Sequence, residues 1–201
     1  MSDVKKEAGK ASSSMLRTTI VTGALSAVSV ALFLTPFGYI PWLAGASLTV
    51  MHVPAILGAV LEGPAAGAII GAIFGLTSLV KAATAPQGPI DVFFTNPLVS
   101  VLPRIAVGLL AWVTFKALGG KRRTLGAAAA AIVGSLANTI FVLGALVLLG
   151  ALPLAAAASV FVANGLVEAA LAAVLTVGVV AAWKGISSKS GKARLADEDK
   201  R

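Results

Sequence analysis

Apolar positions along this chain come in long stretches, separated by short breaks rich in Pro, Gly or charge. A helix needs roughly 20 predominantly apolar residues to cross a bilayer, and the first stretch, Leu16 to about Leu34, meets that length. It ends at Thr35-Pro36-Phe37-Gly38. A loop with Tyr39, Pro41, Trp42 and Gly45 follows, carrying aromatics suited to a membrane interface. The run from Ser47 to Pro64 is interrupted by Pro54 and predicts a short or tilted second span. Glu62-Gly63-Pro64 then reads as a tight turn with Glu62 solvated, because Gly supplies unusual backbone angles and Pro starts the next helix well. Further spans are expected at about Ala65 to Ala83, Asn96 to Leu118, Leu125 to Leu149 and Leu154 to Trp183, with TAPQGPIDVFF (84–94) as a loop. Asn96-Pro97 has the form of a helix start, the Asn as cap and the Pro at the first helical position.

Composition agrees with that pattern. Of the 201 residues, 58% are hydrophobic and 12% charged, and the mean hydropathy is +0.95, well outside the soluble range. The fold class expected is an all-α integral membrane protein, a six-transmembrane-helix bundle over 15–185 between an N-terminal tail (1–14) and a charged C-terminal tail (186–201). Lys and Arg near span ends fall in three places: Lys5, Lys6, Lys10 and Arg17; Lys116, Lys121, Arg122 and Arg123; and Lys184, Lys189, Lys192, Arg194, Lys200 and Arg201. An even number of spans puts all three on one side, and the positive-inside rule makes that side, with both termini, cytoplasmic. The net charge of +8 is thereby explained without nucleic acid. With no cysteine, disulfides, thiolate metal sites and cysteine nucleophiles are excluded.

An ionisable group inside a span costs a few kcal/mol at the bilayer centre, so those present are candidates for function. They are His52, Arg104 and Glu168, accompanied by Asn138 and Asn164. Counting ~1.5 Å per helical residue, Asn138 and Glu168 fall near the midplane and the others in the outer half. Polar groups at similar depth, reachable from outside, describe a solute pocket. Each also has a structural reading. The asparagines could be interhelical hydrogen-bonding partners, Arg104 and Glu168 could neutralise each other, and His52 could be satisfied near the interface. Asp91 is expected to belong to its loop. In the first span Gly23, Ala27 and Ala31 recur every fourth residue, a smooth strip for close approach of another helix, inside or outside the chain. The similar strip Gly67, Gly71, Gly75 is assigned to internal packing. An intramembrane protease is excluded by the absence of GxSG, GxGD or an in-span aspartate. A proton-coupled secondary transporter using Glu168 and His52 stays open, as does a purely structural subunit.

The segments MHVPAILGAVLEGPAAGAIIGAIFGLTSLV, FFTNPLVSVLPRIAVGLLA, GSLANT and NGLVEA, in that order on the expected spans, resemble the substrate-binding S component of energy-coupling factor (ECF) vitamin transporters. The resemblance extends from about residue 15 to 185 and is strongest to pantothenate-type members, with riboflavin-type members next. It implies a multi-pass protein of the bacterial cell membrane that binds a vitamin from outside. It further implies docking on a transmembrane coupling subunit that carries two cytoplasmic ATPases. The family's alanine-rich docking strip matches Ala27-Val28-Ser29-Val30-Ala31, with Gly23 one step earlier. The chain has no GxxxxGK[ST] loop, so no ATP hydrolysis, enzyme activity or cofactor is expected of it. The expected substrate site is Arg104 for a carboxylate, with Asn138, Asn164, Glu168, His52 and Asn96 around it.

Overall fold

The computed structural model describes the backbone of residues 2–35, 38–41, 47–86, 88–120 and 122–198, and side chains mainly within 12–35, 48–120 and 122–183. Eight α-helices and one small hairpin follow in the order α1 (Ser2–Leu34), β1 (Tyr39–Pro41), β2 (Ser47–Thr49), α2 (Val53–Glu62), α3 (Pro64–Thr84), α4 (Pro97–Ser100), α5 (Leu102–Leu118), α6 (Arg123–Leu148), α7 (Leu154–Val160) and α8 (Leu166–Glu198). Among the described residues, five segments are long and apolar enough to cross a membrane: Ser12–Leu34, Pro64–Thr84, Pro97–Leu118, Arg123–Leu148 and Leu154–Trp183. Large apolar side chains lie exposed along each of them, among them Ile20, Leu76, Leu109, Ile140 and Val174. Many of the polar side chains, by contrast, are buried. On a soluble surface so much exposed apolar area would drive association, whereas in lipid it is the solvated face.

The second span is short, as expected, but its first residues are not helical. Ser47–Thr49 is a strand, paired antiparallel with β1 so that Tyr39 opposes Thr49 and Pro41 opposes Ser47. The helix begins only at Val53, and its ten residues cover ~15 Å, about half of a ~30 Å hydrocarbon layer. This short helix is the hub of the bundle. It packs on α1, α3, α5, α6 and α8, and every residue from Val53 to Val60 is buried. A helix enclosed on all sides has no polar face to show, which is why its sequence is apolar all round.

Despite its length, the hairpin and α2 together retrace α1. At one end the Ser29 hydroxyl donates to the Met51 carbonyl. At the other, Arg17 donates to the Glu62 carboxylate through Nε and Nη2 (3.1 and 2.8 Å), with the Thr18 hydroxyl on its second oxygen. Glu62 is therefore no solvated turn residue; its side chain is 5% exposed and ties the end of α2 to α1. Gly63 follows at φ 102, ψ −176, a conformation open essentially to glycine alone, and Pro64 opens α3.

Glycines set the closest contacts in the bundle. A Cβ on Gly71 would overlap the Arg104 backbone, one on Gly75 the backbone at Ser100 and Val101, and one on Gly67 Ala59 of α2. The strip assigned to internal packing does serve that purpose, seating α3 on α4, α5 and α2. Gly23, Ala27 and Ala31 behave oppositely. All three are exposed, and nothing lies within 4 Å of a Cβ placed on Gly23.

Three further elements refine the expected boundaries. The 84–94 loop ends in a 3₁₀ turn, Asp91–Thr95, and the fourth span is broken between α4 and α5 at Val101. The sixth contains a π-helical turn, Phe161–Gly165, between α7 and α8. Both tails continue the helices adjoining them, from Ser2 and to Glu198.

Candidate functional site

A cavity of about 610 Å³ opens at the end of the bundle where α1 finishes. Its wall is built by Leu34 and Thr35 of α1 and its exit, Thr49 and Met51 around the hairpin, Phe74, Ser78 and Lys81 of α3, and Asp91 and Phe94 of the 3₁₀ turn. Arg104 of α5 and Asn138 of α6 complete it. Lys116, Arg122 and Arg123 lie at the opposite end of α5 and α6, as Arg17 does on α1, so the cavity faces away from these basic residues.

Arg104 is held from several directions. Pro103 sits within the first turn of α5, which lets the helix begin directly beneath it. The side chain is 6% exposed and donates through Nη1 to the Val99 carbonyl. Its guanidinium stacks over the rings of Phe74 and Phe94, with 5.3 and 5.4 Å to the centroids. Phe74 in turn meets Phe33 edge-on at 6.1 Å, and the Lys81 ammonium lies 5.0 Å over Phe33. Two cations are thus interleaved with three aromatic rings in one wall. Such contacts are worth ~0.5–2 kcal/mol each, more where water is excluded.

Glu168 is engaged elsewhere than with Arg104. One of its oxygens, Oε1, accepts from the Thr49 amide at 2.6 Å and from the Thr49 hydroxyl at 3.0 Å. The Thr139 hydroxyl of α6 donates instead to the Ser135 carbonyl of its own helix (3.3 Å). Glu168 joins the hairpin to the bundle at a point where β2 and α8 meet, and it touches the cavity through Thr49.

The remaining predicted residues divide. Asn138, 8% exposed, stands in the cavity wall with its Oδ1 unpartnered among the described residues. Asn164 is buried in the π-helical turn, its Oδ1 likewise unpartnered among the described residues, and it does not line the cavity. His52 precedes α2 and is 1% exposed, with neither ring nitrogen bonded among the described residues. Asn96 caps α4: its Oδ1 accepts from the Leu98 amide at 3.0 Å, with Pro97 behind it. The structure thus brings Arg104 and Asn138 to one cavity and sets Asn164, Glu168, His52 and Asn96 around it. Phe94 lines the cavity, while Trp42 and the side chain of Tyr39, the aromatics expected at the interface, lie outside the described residues.

Sequence reasoning passed over Thr49, Ser78 and Lys81 and left Asp91 to its loop, although it lines the cavity. A signal was present for α3: Phe74, Ser78 and Lys81 recur at helical spacing, a polar and aromatic stripe in an otherwise apolar span. Thr49 had none, because its role depends on a carboxylate 119 residues away. Among the described residues no three His, Asp or Glu side chains come together as a metal site would require.

Comparison with known proteins bears directly on this geometry. Residues 17–180 match the family model described as ECF transporter, substrate-specific component. The chain is 31% identical over 152 residues to the pantothenic acid transporter PanT of Lactococcus lactis, covering 67% of this chain and 76% of that one. It is 33% identical over 129 residues to the pantothenate transporter PanT of Leuconostoc mesenteroides, covering 60% and 63% respectively. A multi-pass bundle with a polar, cation-bearing cavity at one end is the architecture such a component needs, and the chain belongs to the substrate-specific components of ECF transporters.

Proposed function

We propose that the cavity binds pantothenate from the outer face of the membrane, and that the chain delivers it inward together with a transmembrane coupling subunit and a pair of cytoplasmic ATPases. The observation that carries the ligand class is the Arg104 guanidinium, fixed in the wall between Phe74 and Phe94. A planar guanidinium suits a carboxylate because it offers two parallel charge-assisted hydrogen bonds. Pantothenate adds two hydroxyls and an amide, groups that Asn138, Thr49 and Ser78 can meet. The volume falls within the ~300–1,000 Å³ range of small-molecule pockets. Riboflavin would want ring faces to stack on, and those of Phe74 and Phe94 are already covered by Arg104. The names of both relatives point the same way.

Titration calorimetry of the detergent-purified protein, without ATP, tests this. Pantothenate should bind and riboflavin should not. Arg104→Ala should weaken pantothenate by about 10- to 100-fold, the equivalent of ~1.5–3 kcal/mol for a charge-assisted hydrogen bond. Arg104→Lys should recover only part of the loss, since it restores charge without the fork. Unchanged affinity in Arg104→Ala, or preference for an uncharged vitamin, would remove the anion-binding role.

A further inference from the structure

We propose that Glu168 acts as a positioning residue that locks the Thr49 hydroxyl into an acceptor, so that the cavity selects a ligand carrying a hydrogen-bond donor, a hydroxyl above all, in addition to its anion. The inference rests on the reading of the Arg104 cavity as the ligand site and deepens it.

Glu168 Oε1 takes both the amide and the hydroxyl of Thr49, at 2.6 and 3.0 Å. A backbone N–H can only donate, so Oε1 is the acceptor in that contact. An oxygen receiving the amide proton at 2.6 Å has its lone pairs turned toward Thr49, and the hydroxyl beside it must donate as well. This holds whatever the state of the second carboxyl oxygen. A hydroxyl has one proton and two lone pairs. With the proton committed to Glu168, Thr49 Oγ1 has only lone pairs to offer.

Thr49 is itself part of the cavity wall, and Asn138 adds a second acceptor there, a buried amide oxygen without a partner among the described residues. An orphaned buried acceptor is costly, and a ligand donor relieves it. The wall therefore sets two cations, Arg104 and Lys81, and the carboxylate of Asp91 beside the acceptors of Thr49 and Asn138. The chemistry that fits is a hydroxylated carboxylate. A plain carboxylic acid of the same shape would answer the cations and leave both acceptors unmet, a loss that a site built around donors and acceptors uses for discrimination.

The test compares pantothenate with N-(tert-butylacetyl)-β-alanine, which keeps the carboxylate, amide and branched carbon skeleton but lacks both hydroxyls. Affinities for the two ligands are measured on wild type, Thr49→Val, Thr49→Ser and Glu168→Ala. Wild type should prefer pantothenate. Thr49→Val should cut that preference by about 5-fold, in line with ~1 kcal/mol for one neutral hydrogen bond, weakening pantothenate more than the dehydroxylated ligand. Thr49→Ser should keep the preference. Glu168→Ala should reduce it as Thr49→Val does, and the double variant should lose no more than either single one. Equal weakening of both ligands by Thr49→Val, with Thr49→Ser intact, would make Thr49 and Glu168 a structural tie only and overturn the proposal while pantothenate binding stands. Failure of wild type to bind pantothenate at all would instead remove the underlying reading of the cavity.

Discussion

At the scale of single residues, the sharpest constraint sits between α2 and α3. Gly63 has φ 102 and ψ −176, while a Cβ there would meet nothing within 4 Å. Space is free and the backbone angle is not. Gly63→Ala should therefore destabilise by ~1–3 kcal/mol through strain alone, seen as a lower thermal midpoint in detergent, with ligand affinity in the surviving folded protein unchanged. This turn was legible from Glu62-Gly63-Pro64, because the angle demands of Gly and Pro are local. Glu62 itself was not. A carboxylate beside a Gly-Pro turn reads as solvated until Arg17 and Thr18, about 45 residues earlier, are known to reach it. Thr49 and Glu168 repeat the lesson: buried polar residues announce themselves in an apolar run, and their partners do not. The sequence also allowed Arg104 to be spent on Glu168. The hydrogen bonds of Glu168 to Thr49 remove that alternative and leave Arg104 in the cavity wall.

At the scale of elements, length and hydropathy placed the long spans to within a few residues, since apolar length is what lipid selects. What escaped was every irregular piece: the hairpin, the break at Val101 and the π-helical turn at Phe161–Gly165. These are tolerated at membrane depth only where backbone groups find partners inside the protein, and that is decided by tertiary contacts. Two of these pieces carry cavity chemistry. The hairpin supplies Thr49, and the break lets α5 restart with Arg104 in its first turn. The α3 glycines act on the same site indirectly. A side chain at Gly71 collides with the Arg104 backbone itself, not with a flexible side-chain end. Gly71→Val should push α3 from α5, lowering the thermal midpoint and weakening pantothenate binding together. Gly23→Val, on the outward strip, should leave both nearly unchanged. Measuring the two variants side by side separates inward from outward glycines in one experiment.

At the scale of the whole molecule, orientation and docking are linked. Arg17 meets Glu62 and Ser29 meets Met51, so the hairpin with α2 runs back along α1 in reverse. If both termini and the basic 119–123 connection lie in the cytoplasm, as the positive-inside rule expects, the cavity opens outward. The chain has no cysteine, so single cysteines can report this directly. Ala151→Cys should react with an impermeant maleimide on intact cells, and Arg122→Cys only after permeabilisation. On such a protein, the exposed small-residue face of α1 is where close approach of another transmembrane helix meets no obstruction among the described residues: Ala27 and Ala31 are exposed, and a Cβ on Gly23 would meet nothing within 4 Å. Membership of the substrate-specific components implies a partner that must be engaged somewhere. Ala27→Trp puts a bulky ring on that face, away from Arg104, Thr49 and Asn138 on the cavity side of the bundle. Pantothenate binding by the purified variant should therefore match wild type, while uptake by cells expressing the coupling subunit and ATPases should fall at least 10-fold. Loss of binding along with uptake would show that α1 shapes the cavity, and normal uptake would move the docking face to another helix.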